Sequence, residues 1–159
     1  METNIIHKKT EQLDLSNGSR GSSEIKILLI IPKYNFSKEV YYSYIFPIGL
    51  CYISSLLKNT GYAVVCANFN SQYGTDKELL LNALNRKNYD YVCMGGNDLI
   101  YYTVKTLIET VHNHESKPKF ILAGNILTHE PELICESLNP DFGIVGEGEV
   151  TIIELLECI

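Results

Sequence analysis

The chain has 159 residues, of which 45% are hydrophobic and 20% charged, with a formal net charge of −6. This length suits one domain with a core large enough to fold without a disulfide or a metal. The acidic balance, with no basic run longer than Lys8-Lys9, argues against a nucleic-acid partner. The apolar runs, such as Ile27 to Ile31, are too short to cross a membrane.

The first 24 residues are polar and include the run Ser16 to Ser23, which is rich in serine and glycine. They lack the apolar centre of a signal peptide, and their composition favours disorder. We therefore expect a disordered leader over 1–24, one domain over 25–159, and a cytoplasmic location.

From Ile25 onward, short apolar runs alternate with helical patterns. Strands are predicted, in chain order, over Ile25–Ile31, Tyr62–Ala67, Tyr91–Met94, Phe120–Ala123 and Phe142–Val145. Continuous apolar runs of this length are typical of parallel strands that are buried on both faces.

Helix signals separate the strands. Helices are predicted to begin near Pro47, at the capping-box sequence Thr75-Asp76-Lys77-Glu78, before Val104, at Pro131 and before Ile152. Regular alternation of this kind predicts an α/β fold with a five-stranded, parallel, doubly wound sheet. The expected strand order is 2-1-3-4-5, as in flavodoxin-like and Rossmann-like domains.

In such sheets, ligands bind beyond the carboxyl ends of the strands. The segment after the first strand, Pro32 to Phe46, is 15 residues long and contains Tyr34, Tyr41, Tyr42 and Tyr44. That is longer than an ordinary crossover loop. Three other strand ends carry glycine, in Gly95-Gly96-Asn97-Asp98, Ala123-Gly124-Asn125 and Gly146-Glu147-Gly148-Glu149. Tight turns explain any one of these glycines, but the combination with a long loop indicates a ligand site.

Several ligands common to this fold are excluded. Pro32-Lys33 follows the first strand and Met94-Gly95 ends the third, so the acidic residues of a phospho-receiver domain and the phosphate loop of a flavodoxin are missing. The sequence contains neither GxxxxGK[ST] nor GxGxxG after a strand.

The sequence gives little indication of a catalytic site or a metal site. His112 and His114 fit an exposed helix end, and Glu147 and Glu149 are either an acid–base pair or ordinary partners of a helix dipole. The five cysteines are scattered along the sequence, which favours buried free thiols over an iron–sulfur or zinc site. We expect no metal ligand from the protein.

The sequence resembles the cobalamin-binding N-terminal domain of class B radical S-adenosylmethionine enzymes. The resemblance spans about Ile25 to Ile159 and depends on the order and spacing of several pieces. These pieces are Lys26 to Pro32, Phe46 to Leu57, Gly61-Tyr62, Ala123 to Glu132 and Asp141 to Glu149. The family pattern in the last two is Gly-Gly-x-x-x-Thr-x-x-Pro-Glu and Gly-Glu-Gly-Glu. Here Ala123 replaces a glycine and Asn125 a frequent proline.

The resemblance implies base-off cobalamin without a histidine lower ligand, since the DxHxxG motif is absent and His129 fits a surface role. The tail of the cofactor is expected to pass Gly95-Gly96 and Ala123-Gly124, and Gly124→Leu is expected to abolish cobalamin retention with the fold intact. The implied cofactor-binding residues are Pro32, Tyr34, Tyr44, Pro47, Gly49, Gly95, Gly96, Asn97, Ala123, Gly124, Asn125, Thr128, Gly146, Glu147 and Gly148.

In the resembled enzymes, a following barrel holds a [4Fe-4S] cluster through CxxxCxxC and cleaves S-adenosylmethionine, and many members transfer a methyl group. This sequence has no CxxxCxxC. The expected function is therefore a corrinoid-binding module that is not catalytic alone, taken from a radical enzyme of methyltransferase type whose barrel is its partner. The alternative is a structural or interaction domain of the same fold that has lost cobalamin binding.

Overall fold

The computed structural model describes residues 4–7, 25–34 and 47–159. Strands and helices alternate along this part of the chain, and a single 3-10 turn, Asp98–Ile100, precedes α3. In chain order the elements are β1 (Asn4–His7), β2 (Lys26–Ile31), α1 (Ile48–Asn59), β3 (Ala63–Asn68), α2 (Asp76–Arg86), β4 (Tyr91–Gly95), α3 (Tyr101–His112), β5 (Lys119–Ala123), α4 (Asn125–Thr128), α5 (Pro131–Leu138), β6 (Phe142–Val145) and α6 (Gly148–Cys158).

The strands form one sheet in the order β1-β6-β5-β4-β2-β3, and every pair in it is parallel. The five predicted strands are β2 to β6, and their order confirms the predicted 2-1-3-4-5 arrangement. Leu29 of β2 pairs with Cys66 of β3 on one side and with Cys93 of β4 on the other. The chain runs outward from β2 to β3 and then returns to β4 on the other side of β2, so the strand order reverses between β2 and β4.

A sixth strand was not predicted from the sequence. β1 pairs in parallel with β6, with Asn4 opposite Phe142 and His7 opposite Val145. Four residues are too few for an alternating pattern to indicate a strand in the sequence. The strand is recognised only by its pairing with β6. Asn4–His7 lies within the leader predicted over 1–24, whose other residues lie outside the described part of the chain, so the division at residue 24 stays a prediction.

The side chains of β2 alternate between two hydrophobic cores, one on each face of the sheet. Ile27 and Leu29 pack with α1 and α6, whereas Leu28 and Ile30 pack with α2, α3, α4 and α5. Because neighbouring strand residues point to opposite faces, a strand between two helical layers must be apolar throughout. β2 is buried from Ile27 to Ile31, which explains its unbroken apolar run.

The predicted helix starts are confirmed. The Thr75 hydroxyl accepts a hydrogen bond from the Glu78 amide (3.2 Å), and the Glu78 carboxylate accepts one from the Thr75 amide (2.8 Å). These two bonds form the capping box that the sequence predicted. α1 begins directly after Pro47, and α5 has Pro131 in its first turn.

Asp141 joins the amino ends of β5 and β6. Its carboxylate accepts hydrogen bonds from the Lys119 ammonium and the Phe120 amide, both at 2.8 Å, and lies 3.1 Å from Nε2 of His112. Burial raises the pKa of Asp141, but its hydrogen bonds outweigh that effect, so the pKa lies below the ordinary value. His112, expected at an exposed helix end, is half-buried and has a structural partner.

All five cysteines are free thiols, as predicted. Cys93 and Cys135 are buried, and burial raises the pKa of the Cys93 thiol far above its ordinary value. Cys51, Cys66 and Cys158 are exposed, so the expectation of burial is wrong for these three. These cysteines lie on α1, β3 and α6, and an apolar sequence pattern does not distinguish the exposed positions of such elements from the buried ones. Among the helices in the described ranges, none is long and apolar enough to cross a membrane.

Candidate functional site

The carboxyl edge of the sheet begins with the residues that leave β2. Asn70, which follows β3, holds them in place. Its side-chain oxygen accepts a hydrogen bond from the Tyr34 amide (3.0 Å), and its side-chain nitrogen donates to the Pro32 carbonyl (2.8 Å). Pro32 is buried and Tyr34 is half-buried against the core on the α2 side. The first three residues after β2 are therefore fixed toward β3 and α2.

Lys33 strengthens this attachment. Its backbone amide donates to the Asp76 carboxylate (2.9 Å), and its ammonium donates to the carbonyls of Gln72 and Gly74, both at 2.6 Å. Burial raises the pKa of Asp76, although the Lys33 amide and ammonium oppose the shift. The ammonium is thus engaged by backbone carbonyls on the β3 side of the edge.

The ends of β4 and β5 lie in close contact. The Gly96 amide donates to the Ala123 carbonyl (3.0 Å), and the Ile126 amide donates to the Gly96 carbonyl (3.2 Å). A Cβ atom on Gly124 would lie 2.7 Å from the Gly96 carbonyl oxygen and 2.9 Å from the Gly96 nitrogen. No side chain fits there, and φ of +92° at Gly124 also favours glycine.

This contact corrects one expectation. Gly124→Leu was expected to block a ligand cleft without disturbing the fold, but even one added carbon would force the Gly96 backbone to move. Gly124 is therefore required by the packing of two turns. Ligand binding must therefore be tested by the substitution of a different glycine at this edge.

Other glycines at this edge face open space. Apart from its chain neighbours and its own helix backbone, a Cβ atom at Gly49 or Gly146 would have no atom of the described residues within 4 Å. A Cβ atom at Gly95 would meet only Cδ2 of Leu50, at 4.0 Å. Gly49 lies in the first turn of α1, Gly95 ends β4, and Gly146 follows β6. The open positions thus lie around the first turns of α1 and α6, on the face of the sheet opposite Tyr34.

A cavity of about 150 Å³ lies on this same face, between α1 and the last residues of β2 and β3. Its lining surface is mostly apolar and is formed by three aliphatic residues, two cysteines and two serines: Leu29, Ile31, Leu50, Cys51, Ser54, Ser55 and Cys66. The Ser54 hydroxyl and the Cys66 thiol lie 3.2 Å apart. Because Leu50 both lines the cavity and approaches Gly95, the cavity and the open end of β4 are neighbours.

Asn97, just beyond β4, carries an unsatisfied group. Its side-chain oxygen is buried and accepts no hydrogen bond in the described part of the chain. Asn97 precedes the 3-10 turn, but its side chain does not cap it. A buried acceptor without a donor is unfavourable by roughly 1–3 kcal/mol, and such groups are found at functional sites more often than elsewhere.

The remaining predicted residues are distributed around this edge. Pro47 and Ala123 are half-buried, Asn125 and Thr128 are exposed on α4, and the Thr128 hydroxyl donates to the Gly124 carbonyl (3.3 Å). Glu147 is exposed, Gly148 is half-buried at the start of α6, and His129 is exposed. Tyr44, like Tyr41 and Tyr42, lies outside the described residues. No cluster of three metal-binding side chains was found within the described ranges.

Three residues that position this edge were not predicted from the sequence: Asn70, Asp76 and Leu50. Asn70 and Asp76 bond to residues 36 to 43 positions away, and nothing local marks them beyond the turn-forming character of asparagine and the helix-start character of aspartate. Leu50 belongs to the apolar pattern of α1. Its position between the cavity and Gly95 follows only from the packing of that helix.

A family model described as the B12 binding domain matches residues 37–156, which is most of the chain. The chain belongs to the B12-binding domain family. The comparison with curated proteins gave no match.

Solved structures share the fold of this B12-binding domain at low sequence identity. The radical S-adenosylmethionine methyltransferase TsrM from Kitasatospora setae, solved with cobalamin and a [4Fe-4S] cluster, matches 82% of this chain with a TM-score of 0.68 and 16% identity. A cobalamin-binding protein from Desulfitobacterium hafniense DCB-2 matches 87% with a TM-score of 0.63 and 13% identity.

HP1043, an orphan response regulator of H. pylori, matches 86% of this chain with a TM-score of 0.53 and 14% identity. Likeness at these identities shows a shared fold, which several functions use. The match spans 24% of the TsrM chain and 60% of the Desulfitobacterium protein. This chain therefore spans about a quarter of the length of TsrM.

Proposed function

We propose that this B12-binding domain binds a corrinoid at the carboxyl edge of its sheet, on the side of α1 and α6. The observation that carries the proposal is the open space at Gly49, Gly95 and Gly146. A corrin ring is broad and flat, and it needs a surface of backbone and small side chains. Glycine has no side chain, so these strand and helix ends offer such a surface at the edge of the sheet where ligands of this fold bind.

The cavity beneath α1 supports a path for the nucleotide tail of the corrinoid. The direct path between Gly96 and Gly124 is closed by backbone contact. The cavity of about 150 Å³ beside Leu50 has room for a small aromatic group, and its mostly apolar lining surface favours one. We therefore assign the tail to the α1 face, whereas the sequence placed it between the ends of β4 and β5.

The state of the cobalt is a further part of the proposal. His129, directly after α4, is exposed, and the described segments after the strands otherwise contain no histidine. This supports base-off binding without a histidine lower ligand. The cobalt would carry the chemistry, and residues of this chain would hold the ring and its side chains.

The parent activity is also proposed. The likeness to TsrM and the motifs after β5 and β6 support a radical S-adenosylmethionine enzyme of methyltransferase type. In that case a separate barrel would hold the [4Fe-4S] cluster and S-adenosylmethionine, and this domain would supply the corrinoid.

Retention of hydroxocobalamin tests the binding proposal. After mixing and desalting, the visible spectrum should show close to one corrinoid per protein. Gly49→Phe should abolish retention, because the new ring would fill open space at the start of α1. Its thermal midpoint should stay close to that of the wild type.

Asn82→Phe is the matched control, since Asn82 is exposed on α2, away from the proposed site. It should leave retention unchanged. A wild-type protein that retains no corrinoid would contradict the proposal and would favour the alternative, a structural or interaction domain. Normal retention by Gly49→Phe would refute the assigned face.

A further inference from the structure

The backbone around the cavity beneath α1 has little hydrogen-bonding capacity left for a ligand. Leu29 and Ile31 of β2 pair with Cys66 and Asn68 of β3, and the Ile31 carbonyl accepts a hydrogen bond from the Phe69 amide (2.9 Å). The other lining residues belong to α1. Backbone groups in a strand ladder or within a helix are already bonded to one another. A molecule in the cavity must therefore hydrogen-bond to side chains.

The lining side chains supply few hydrogen-bond partners. Among the described residues, no charged side chain lines the cavity. Its two hydroxyls belong to Ser54 and Ser55, and the Ser54 hydroxyl already lies 3.2 Å from the Cys66 thiol. Thiols are weak donors and weak acceptors. A ring with several nitrogen atoms would leave most of them without a partner, whereas an apolar ring needs none.

The size of the cavity sets a second limit. A ring the size of benzene fills an apolar cavity of about this volume, which is about 150 Å³ here. Cys51, Ser55 and Cys66 line the cavity and are exposed, so a ring can enter it from solvent. Volume and polarity therefore favour the same occupant, a small apolar aromatic ring.

We propose that this cavity selects corrinoids by the base at the end of the nucleotide tail, accepting phenolic and benzimidazole bases and rejecting purines. The inference rests on the proposed corrinoid binding and specifies the ligand class for the same site. A p-cresol base has no ring nitrogen, and 5,6-dimethylbenzimidazole has one that is unsubstituted. Adenine has three and also an amino group. Each polar group that is buried without a partner weakens binding.

Equilibrium dialysis with four corrinoids tests the selection. The ligands are p-cresolyl cobamide, hydroxocobalamin, adenyl cobamide, and cobinamide, which has no base. The first two should bind with similar affinity, and adenyl cobamide should bind about tenfold more weakly than hydroxocobalamin. Benzimidazole is a stronger cobalt ligand than adenine, so its release for base-off binding costs more. Weaker binding of the purine corrinoid therefore cannot come from base release.

The four affinities separate this inference from the proposed function. Equal affinities for adenyl cobamide and hydroxocobalamin would overturn the selection while leaving corrinoid binding intact. Cobinamide that bound as tightly as hydroxocobalamin would show that the base stays outside the cavity, and the inference would fail in that case too. Failure to bind any of the four would overturn the proposed function as well.

A substitution that fills the cavity locates the effect. Ser55→Phe places an aromatic ring at the lining, so it should reduce the affinity for hydroxocobalamin to that of cobinamide and leave cobinamide binding unchanged. Asn59→Phe is the matched control, since Asn59 is exposed at the end of α1 and does not line the cavity. It should change neither affinity. Equal effects of the two variants would refute the role of the cavity.

The cavity thiols report directly on where the base lies. Bound hydroxocobalamin should slow the alkylation of Cys66 by N-ethylmaleimide several-fold, measured by mass spectrometry, because the base would cover that thiol. Cobinamide should protect Cys66 less. Cys158, exposed at the end of α6, should react at the same rate with and without ligand. Unchanged alkylation of Cys66 at saturating hydroxocobalamin would refute the assignment of the base to this cavity.

Discussion

Gly124→Ala should destabilise the protein severely, although it adds a single carbon at the surface edge of the sheet. The backbone at Gly124 has φ of +92° and ψ of −174°, a region that is almost confined to glycine and unfavourable for other residues by about 1–3 kcal/mol. The new Cβ would also lie 2.7 Å from the Gly96 carbonyl oxygen. Relief of such an overlap costs about 1–3 kcal/mol more.

The two effects together predict a loss of about 3 kcal/mol in the free energy of unfolding. For a domain of this size, that lowers the thermal midpoint by roughly 10 °C. Urea denaturation followed by circular dichroism measures the free energy, and a thermal scan gives the midpoint.

Gly95→Ala is the matched control at the neighbouring strand end. Its Cβ would approach only Leu50, at 4.0 Å, so the free energy of unfolding should change by less than about 0.5 kcal/mol. If Gly124→Ala were as stable as Gly95→Ala, the close contact between the ends of β4 and β5 would be refuted. The path for a ligand tail between them would then be open again.

Three further changes test the scaffold. Gly143→Ala should destabilise by about 1–3 kcal/mol because its Cβ would lie 3.0 Å from Sγ of Cys135; adding Cys135→Ala should recover part of the loss in a double-mutant cycle, and strictly additive effects would contradict the contact. Thr75→Ala should cost about 1 kcal/mol by removing the capping box, whereas Glu78→Gln, which keeps a capping group, should cost less in the same urea assay. Because its pKa is lowered in the folded state, Asp141 stabilises the protein above the unfolded pKa of about 3.9, and the effect is lost as the pH falls through the lower folded pKa. Asp141→Asn should therefore lower stability at pH 7 by about 1–3 kcal/mol and reduce the dependence of the urea midpoint on pH below 4; an unchanged dependence would exclude Asp141 as its source.

Much of the fold was predictable because the signals are local. A strand such as β2, buried on both faces, must be apolar along its length, and the capping box of α2 requires a threonine and a glutamate three residues apart. Both constraints act within a few neighbouring residues, so they are visible in the sequence. β1 was missed because its four residues are defined by hydrogen bonds to β6, more than 130 positions away.

The candidate site was predictable only in outline. The sequence marks several glycines at the strand ends, but it does not distinguish Gly124, whose Cβ position is occupied by the Gly96 backbone, from Gly95, which faces open space. The same limit applies to Asn70, whose two hydrogen bonds reach Pro32 and Tyr34 across the sheet edge.

The layered α/β architecture, the strand order and the edge at which a ligand is expected were all predictable from the amino-acid sequence, because periodicity, capping and connection handedness are properties of short segments. Which face of that edge is open became visible only in the folded chain. That property depends on how α1 lies over β2 and β3 and on how closely the turns after β4 and β5 approach each other. Both are distances between residues far apart in the chain, and no local pattern encodes them.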